Sequence, residues 1–377
     1  MFRVVVSLVI CWVLSSANWC RAQTPQTSES PSDAPSEAQS PPVAPRSYVY
    51  HISSSDAIAD YDPNPSVVHR MVDDLVMAAT NEPTVAAAWS SLVKPSDVVG
   101  IKVCANGAPL FGTHPAVVNA IVEGLAAAGV PSQNIVVWDR EADLLKAAGF
   151  HIRNGGYRLM WTENNYDPKA VITSPISGKL IYGDLLFVAR GPGLFDNGLK
   201  DSTPEPGKKR PRVLDNLSDQ SHLSNVLTHV VTKVINVPVL SDNVYCGLSG
   251  ALFNMTVQNM DNWRRLVEDP VNGDPTIPEA YADPRISDKV VFQLMDGLVA
   301  LYAGGPMGDA NYSVQYGTLY ASKDPVALDA IALRRIDEWR ASAQLEPASK
   351  TAKYVQTAST YGLGNADMSK IEVVNVR

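Results

Sequence analysis

Apolar and polar positions alternate in blocks along this chain, and the period of the alternation changes from block to block. Residues 4–14 are apolar but for Ser7, a run too short for a comfortable membrane span. A stretch of small and polar residues follows, and from residue 47 short β-branched runs alternate with stretches of helical spacing. Residues 97–104 (Asp-Val-Val-Gly-Ile-Lys-Val-Cys) predict a short buried strand with turn signals on both sides. The loop over 105–113 carries Gly107 and Gly112, and His114-Pro115 then opens a helix, proline being suited to the first helical position. Val118, Ile121, Val122 and Leu125 recur on one apolar face, and Gly129 is a natural stop. Residues 134–139 form the next strand, which ends in Asp139. Strand, helix and strand over this span predict a right-handed parallel βαβ unit.

The pattern continues less regularly. Residues 143–148 predict a helix, and Asn154-Gly155-Gly156 a turn. Residues 191–222 are a long insertion rich in Pro, Gly, Asp and Lys, of the kind that serves as a functional lid or stays disordered. Val234-Ile235-Asn236-Val237-Pro238 predicts a buried strand ending at the proline, with a polar turn at Ser241, Asp242 and Asn243 and a glycine-spaced entry into another element after Cys246. Residues 290–294 predict a strand closing on Asp296-Gly297, and the loop Gly304-Gly305-Pro306 follows. Residues 317–322 predict another strand. Lys323-Asp324-Pro325 then starts a helix over 326–340, with Leu328, Ala332, Ile336 and Trp339 on one face. The class is α/β, a largely parallel sheet flanked by helices with one long Pro/Gly-rich insertion.

Composition places this fold in a compartment. Arg3 precedes the apolar run, and Cys20-Arg21-Ala22 precedes Gln23, so residues 1–22 are expected to be a cleaved export signal. Trp19 is not the small residue that precedes a lipid-modified cysteine. Residues 23–46 have almost no large apolar side chains and are expected to be a disordered Pro/Ser-rich tether. Residues 47–377 are then a single large α/β domain, exported to a periplasm or secreted, with no transmembrane segment after signal cleavage. The formal charge is −8, which disfavours nucleic acid as a partner. The one basic run, Lys208-Lys209-Arg210-Pro211-Arg212, is expected to be a solvated loop. Of four cysteines, only Cys104 and Cys246 fall outside the signal. Without a C-x-x-C pair, neither an iron–sulfur cluster nor a thiolate zinc site is expected. The pair is left open as a disulfide, structural or redox-active, as a soft-metal site with His114, or as two isolated buried thiols.

Four motifs in order resemble the domain of unknown function 362 family. Val99-Gly100-Ile101-Lys102-Val103-Cys104 and Thr113-His114-Pro115 resemble its first strand motif and helix start. Asn236, Pro238, Leu240, Gly247, Gly250, Ala251, Leu252 and Asn254 match its second motif without gaps. Asp296 with Gly304-Gly305-Pro306 resembles the third, and the run Ala321-Ser322-Lys323-Asp324-Pro325-Val326-Ala327-Leu328-Asp329 the fourth. Where the family tends to have lysine, threonine and histidine, this chain has Ser241, Asp242 and Asn243; Phe253 replaces a lysine and Cys104 an asparagine. The ferredoxin-like cysteine clusters of many members are missing. The resemblance marks Lys102, His114, Asn254, Asp296, Asp324 and Asp329 as site candidates and implies no settled activity.

The chemistry of these residues gives two readings. In the first, strand ends open onto a polar cleft, with Lys102, His114 and Asp296 as catalytic candidates. Asp139, Asp242, Asn243, Asn254 and Asp324 then bind a small anionic ligand or a divalent metal, with Asp139 and Asp296 as the metal carboxylates. A hydrolytic or redox step would follow. In the second, the chain is an exported, non-catalytic binding protein that has lost the lysines and histidine of the family's site. Each residue also has a structural role open to it: Lys102 in a buried ion pair with Asp139 or Asp296, His114 at a helix start, Asp324 as an N-cap.

Overall fold

In the computed structural model, residues 46–151, 156–163, 165–172, 220–267 and 271–377 are described. The signal, the tether, the basic run, most of the 191–222 insertion and part of the 154–156 turn lie outside them. No helix among the described residues is long and apolar enough to cross a membrane.

The described strands are, in chain order, β1 (Ser47–Ser53), β2 (Ile58–Ala59), β3 (Asp62–Pro63), β4 (Val99–Lys102), β5 (Ile135–Asp139), β6 (Arg158–Trp161) and β7 (Tyr166–Val171). They continue with β8 (His222–Ser224), β9 (Lys233–Asn236), β10 (Val239–Asn243), β11 (Gly247–Leu248), β12 (Val290–Leu301), β13 (Ser313–Ser322) and β14 (Ile371–Asn375). One sheet runs β14-β1-β13-β12-β9-β4-β5-β6, with β10 added beside β12 and β11 beside β10. From β12 to β6 every neighbouring pair is parallel; β13 runs antiparallel to both β12 and β1. The fold is therefore α/β with a mostly parallel sheet. Its β4-helix-β5 unit is the predicted βαβ.

The helices are α1 (Pro65–Thr80), α2 (Val85–Leu92), α3 (Pro115–Ala127), α4 (Ala142–Ala147), α5 (Ala251–Met255), α6 (Arg264–Val267), α7 (Thr276–Tyr281), α8 (Pro284–Ser287), α9 (Pro325–Ser342) and α10 (Tyr354–Thr360). Two start signals work as the sequence implies. Asn64 caps α1 ahead of Pro65, and Asp324 caps α9 ahead of Pro325. Strand alternation sends side chains to two separate cores. Val136 and Trp138 of β5 pack with α5, α7, α9 and α10; Ile135 and Val137 pack with α1, α2 and α3.

Two expectations fail at Pro238, for one physical reason. The strand ends just ahead of the proline, as expected, but the polar turn does not follow it. Proline cannot donate to the ladder, so β9 stops at Asn236 and the chain resumes two residues on as β10. Ser241, Asp242 and Asn243 are thus buried strand residues, and the turn comes later, at residues 244–246. Because β10 replaces β9 as its neighbour, β12 also runs on, from Val290 to Leu301. Asp296 consequently sits inside a strand and not at its end. Its amide still donates to the Pro238 carbonyl at 2.8 Å, across the break.

Candidate functional site

Register places Lys102 of β4 level with Trp138 of β5 and Asn236 of β9, and Asn236 level with Gln293 of β12. Three of these four are polar residues in apolar strands, and each must find partners out of water. The Lys102 ammonium donates to Asp139 Oδ1 at 2.6 Å, to the Val103 carbonyl at 2.7 Å and to Asn254 Oδ1 at 3.0 Å. An ammonium has three donors, so all are spent, on a side chain with no exposed surface. Asp139 Oδ2 accepts the Ala105 amide at 2.7 Å. Asn254 donates to Asn236 Oδ1 at 2.7 Å, and Asn236 donates to Gln293 Oε1 at 2.7 Å and to the Ala251 carbonyl at 3.0 Å. Of the two partners expected for Lys102, the structure gives Asp139. The chain of contacts ties β4, β5, β9 and β12 to α5, and it leaves no ammonium for an anion.

A second centre lies on the other face. His114 ends the loop after β4 and stands at the N-terminus of α3. Its ring Nδ1 lies 2.9 Å from Asp296 Oδ2, and its backbone amide donates to the same oxygen at 2.8 Å. Asp296 Oδ1 accepts the Leu298 amide at 3.0 Å. A carboxylate that only accepts fixes the ring hydrogen on Nδ1, which turns Nε2 outward as the free nitrogen. Asp296 has no exposed side-chain surface, whereas the His114 side chain retains 13%. Burial works to lower the His114 pKa, but the Asp296 carboxylate outweighs it by charge and hydrogen bond, with the Asp62 charge adding, and the net shift is upward.

The remaining expected ligands have internal duties. Asn243 Oδ1 accepts the amides of Tyr245 and Cys246 and so builds the turn between β10 and β11, while its Nδ2 donates to Ser249. Asp324 Oδ1 caps α9, and its Oδ2 accepts from Ser47 and from the Asn365 amide, so it ties β1 to the end of the chain and lies outside the strand-end cluster. Asp329 pairs with no arginine: from within α9 it accepts the Ala251 and Leu252 amides at the start of α5, and burial drives its pKa up to about 7. Asp242 Oδ1 accepts the Gly305 amide at 2.9 Å and Oδ2 faces Arg340 at 3.5 Å.

The paired-carboxylate expectation is not met, because Asp139 and Asp296 each spend both oxygens on separate partners. Among the described residues no group of three His, Cys, Asp or Glu is placed to hold a metal ion. Nor is there a disulfide between them: Cys104 and Cys246 are both free and buried, and they lie in the two different cores. Burial pushes the Cys104 thiol up to about 12 and Cys246 higher still, so neither is a ready nucleophile. An open cleft is not seen at Lys102. Two cavities lie elsewhere among the described residues, one of about 900 Å³ between α9 and α10 and one of about 180 Å³ beside Tyr316.

Sequence reasoning missed Asn236 and Gln293 as network members and Arg340 as the partner of Asp242. The signal for the first two was present: each is a lone polar residue inside an apolar strand run. Arg340 carries no local signal, being 98 residues beyond its partner.

Fold and site thus define an α/β protein with a saturated polar network under the carboxyl ends of its strands and an outward-facing histidine oriented by a buried aspartate. Residues 210–334 match the family described as Domain of unknown function (DUF362). The span holds Asn236, Asn254, Asp296 and Asp329; Lys102 and His114 lie before it. No curated protein matches the chain. Among solved structures, a crystal structure of a protein from Thermotoga maritima is similar at 11% identity, with a TM-score of 0.40 over 75% of this chain and 60% of that one. The chain thus spans less than two thirds of that protein's length.

Proposed function

We propose that this is an exported protein whose active centre is the His114–Asp296 pair, acting as general acid and base on a small polar ligand in a hydrolytic step. The observation that carries this reading is the 2.9 Å contact between His114 Nδ1 and a fully buried Asp296, which leaves Nε2 as the outward nitrogen. A carboxylate behind an imidazole holds its tautomer and stabilises the cation formed when it takes a proton. The Asp296 carboxylate raises the His114 pKa above its ordinary value and so favours the imidazolium formed when the ring takes a proton. Export rests on Arg3 and the apolar run at 4–14, and N-terminal sequencing of the mature protein should begin at Gln23.

A panel of activated esters and phosphate esters tests the activity. Replacing His114 by Asn, or Asp296 by Asn, is expected to lower turnover by about 10²- to 10⁴-fold. Turnover that survives in both variants would remove the pair from the chemistry. The saturation of Lys102, Asp139 and Asn254 favours a second reading, a non-catalytic binding protein. Under it the intact protein binds a ligand and turns over nothing in the panel.

A further inference from the structure

The apolar face of α9, with Leu328, Ala332 and Ile336, goes into the core. A second row on the same helix, Ala330, Leu333, Asp337 and Ala341, keeps helical spacing and lines a cavity of about 900 Å³ against α10. Short side chains leave the room for it: besides Ala330 and Ala341, Ala352 and Ala366 stand in its wall. Leu333, Val355 and Met368 supply larger apolar surface. Sites that enclose a small organic molecule have volumes of about 300–1,000 Å³, are mostly apolar, and carry a few polar groups that orient the guest. Lys102, His114 and Asp296 take no part in this wall.

Most of the charged groups around the cavity are already paired. Arg334 donates to Glu338 at 3.2 Å, and Arg335 reaches the other oxygen of Glu338 at 2.7 Å. Asp337 Oδ1 accepts the Ala348 amide at 2.6 Å. Lys353 is exposed, and water serves its ammonium. Asp274, in the loop ahead of α7, differs from all of these. It is half-buried in the cavity wall, its Oδ1 is buried with no hydrogen-bond partner, and among the described residues no cation pairs with it. A buried acceptor without a donor is costly, and the cost is removed when a donor arrives.

We infer that this cavity binds a small organic cation, an amine carried on an apolar body, with its ammonium against Asp274 and its body along Leu333, Val355 and Met368. The charge on a carboxylate is shared by its two oxygens, so a cation met from the cavity side also relieves the buried one. The balance of charge has the same sense: Asp274, Asp337 and Glu338 outnumber Arg334 and Lys353 in the lining. An anionic guest would find only the exposed Lys353 unpaired and would lie against Asp274. A neutral apolar guest would take water from Asp274 and give nothing back. The inference is independent of the role proposed for His114.

Calorimetric titration of the intact protein with phenethylamine, hexylamine and tryptamine tests this, with phenylpropionate and phenylpropanol as the anionic and neutral counterparts. At least one amine should bind with a Kd below about 1 mM, and the counterparts at least about tenfold more weakly. Asp274→Asn keeps the shape of the side chain and removes its charge, and should weaken the amine by about 10- to 100-fold. Ala341→Trp, at an exposed position, fills the cavity without touching Asp274 and should also abolish binding. The amine should raise the thermal midpoint of the unsubstituted protein and not that of either variant, a readout that also shows whether the variants fold. No heat and no thermal shift with any of the amines at about 5 mM overturns the site. Equal binding of phenylpropionate, or unchanged binding in a folded Asp274→Asn protein, overturns the assignment of a cation to Asp274. Unchanged binding in a folded Ala341→Trp protein places the amine outside this cavity and overturns it as well. None of these outcomes depends on whether the His114–Asp296 pair is catalytic.

Discussion

Lys102 shows how one residue can be both a site candidate and a structural part. It was singled out because a lysine in an apolar strand needs a partner, and the partner is there at 2.6 Å. Truncating it to Ala leaves the Asp139 charge buried with only an amide to face, a loss of about 3–5 kcal/mol. Urea denaturation of Lys102→Ala should show it, and a loss under 1 kcal/mol would mean that water reaches Asp139. Removing both charges, as Lys102→Met with Asp139→Asn, should cost less than Lys102→Ala alone, because no charge is left behind. What the sequence did not disclose at this scale is direction. Asp139 and Asp296 both follow apolar runs, yet Asp139, at the end of β5, turns to Lys102, whereas Asp296, inside β12, turns to His114. Whether an aspartate ends a strand or lies within one depends on how far its neighbours pair, and β12 runs on only because β10 resumes beyond Pro238.

Among the elements, α5 is the most dependent on its surroundings. At five residues it is far below the length at which a helix holds itself. Its N-terminal amides go to Asp329 of α9, and Gly250 lets that carboxylate approach: a β-carbon there would collide with it. Gly250→Ala should therefore be destabilising, the more so because Gly250 is the N-cap of α5, a position that disfavours Ala. Thermal unfolding is expected to lose several degrees, for a cost of about 1–3 kcal/mol from the displaced acceptor. An unchanged midpoint would show that α5 can shift without loss. Two long helices were legible: α3 and α9 have start signals and apolar stripes within their own sequence, whereas α1 was not read. The β9–β10 break was half legible, since Pro238 marks it, but resumption of the strand beyond depends on an open neighbour. The loops after β4 and β12, which touch at Gly107 and Gly308, were visible only as loops, because no local pattern records a contact between segments about two hundred residues apart.

For the whole molecule, three buried groups set a common pH response. Asp242 rises to about 6, Asp329 to about 7, and His114 is raised as well. Each binds its proton more tightly folded than unfolded. Its contribution is complete below the unfolded value, 3.8 for the carboxyls and 6.5 for the imidazole, and is lost as pH rises through the folded one. The thermal midpoint is expected to be higher at pH 5 than at pH 8, and Asp242→Asn combined with Asp329→Asn should flatten that slope. A midpoint that rises with pH over this window would contradict the assignment. The α/β class was readable from block alternation alone; the mixed edge was not, because β13, β1 and β14 pair across nearly the whole chain. That edge has a consequence for how the protein comes into being. β1 lies between β13 and β14, so the first strand of the sheet waits for the last two. A nascent chain emerging from the ribosome cannot close this side until Ile371–Asn375 has been made. Closure of this edge is thus one of the last steps open to the chain, whatever the rest of the sheet has already formed.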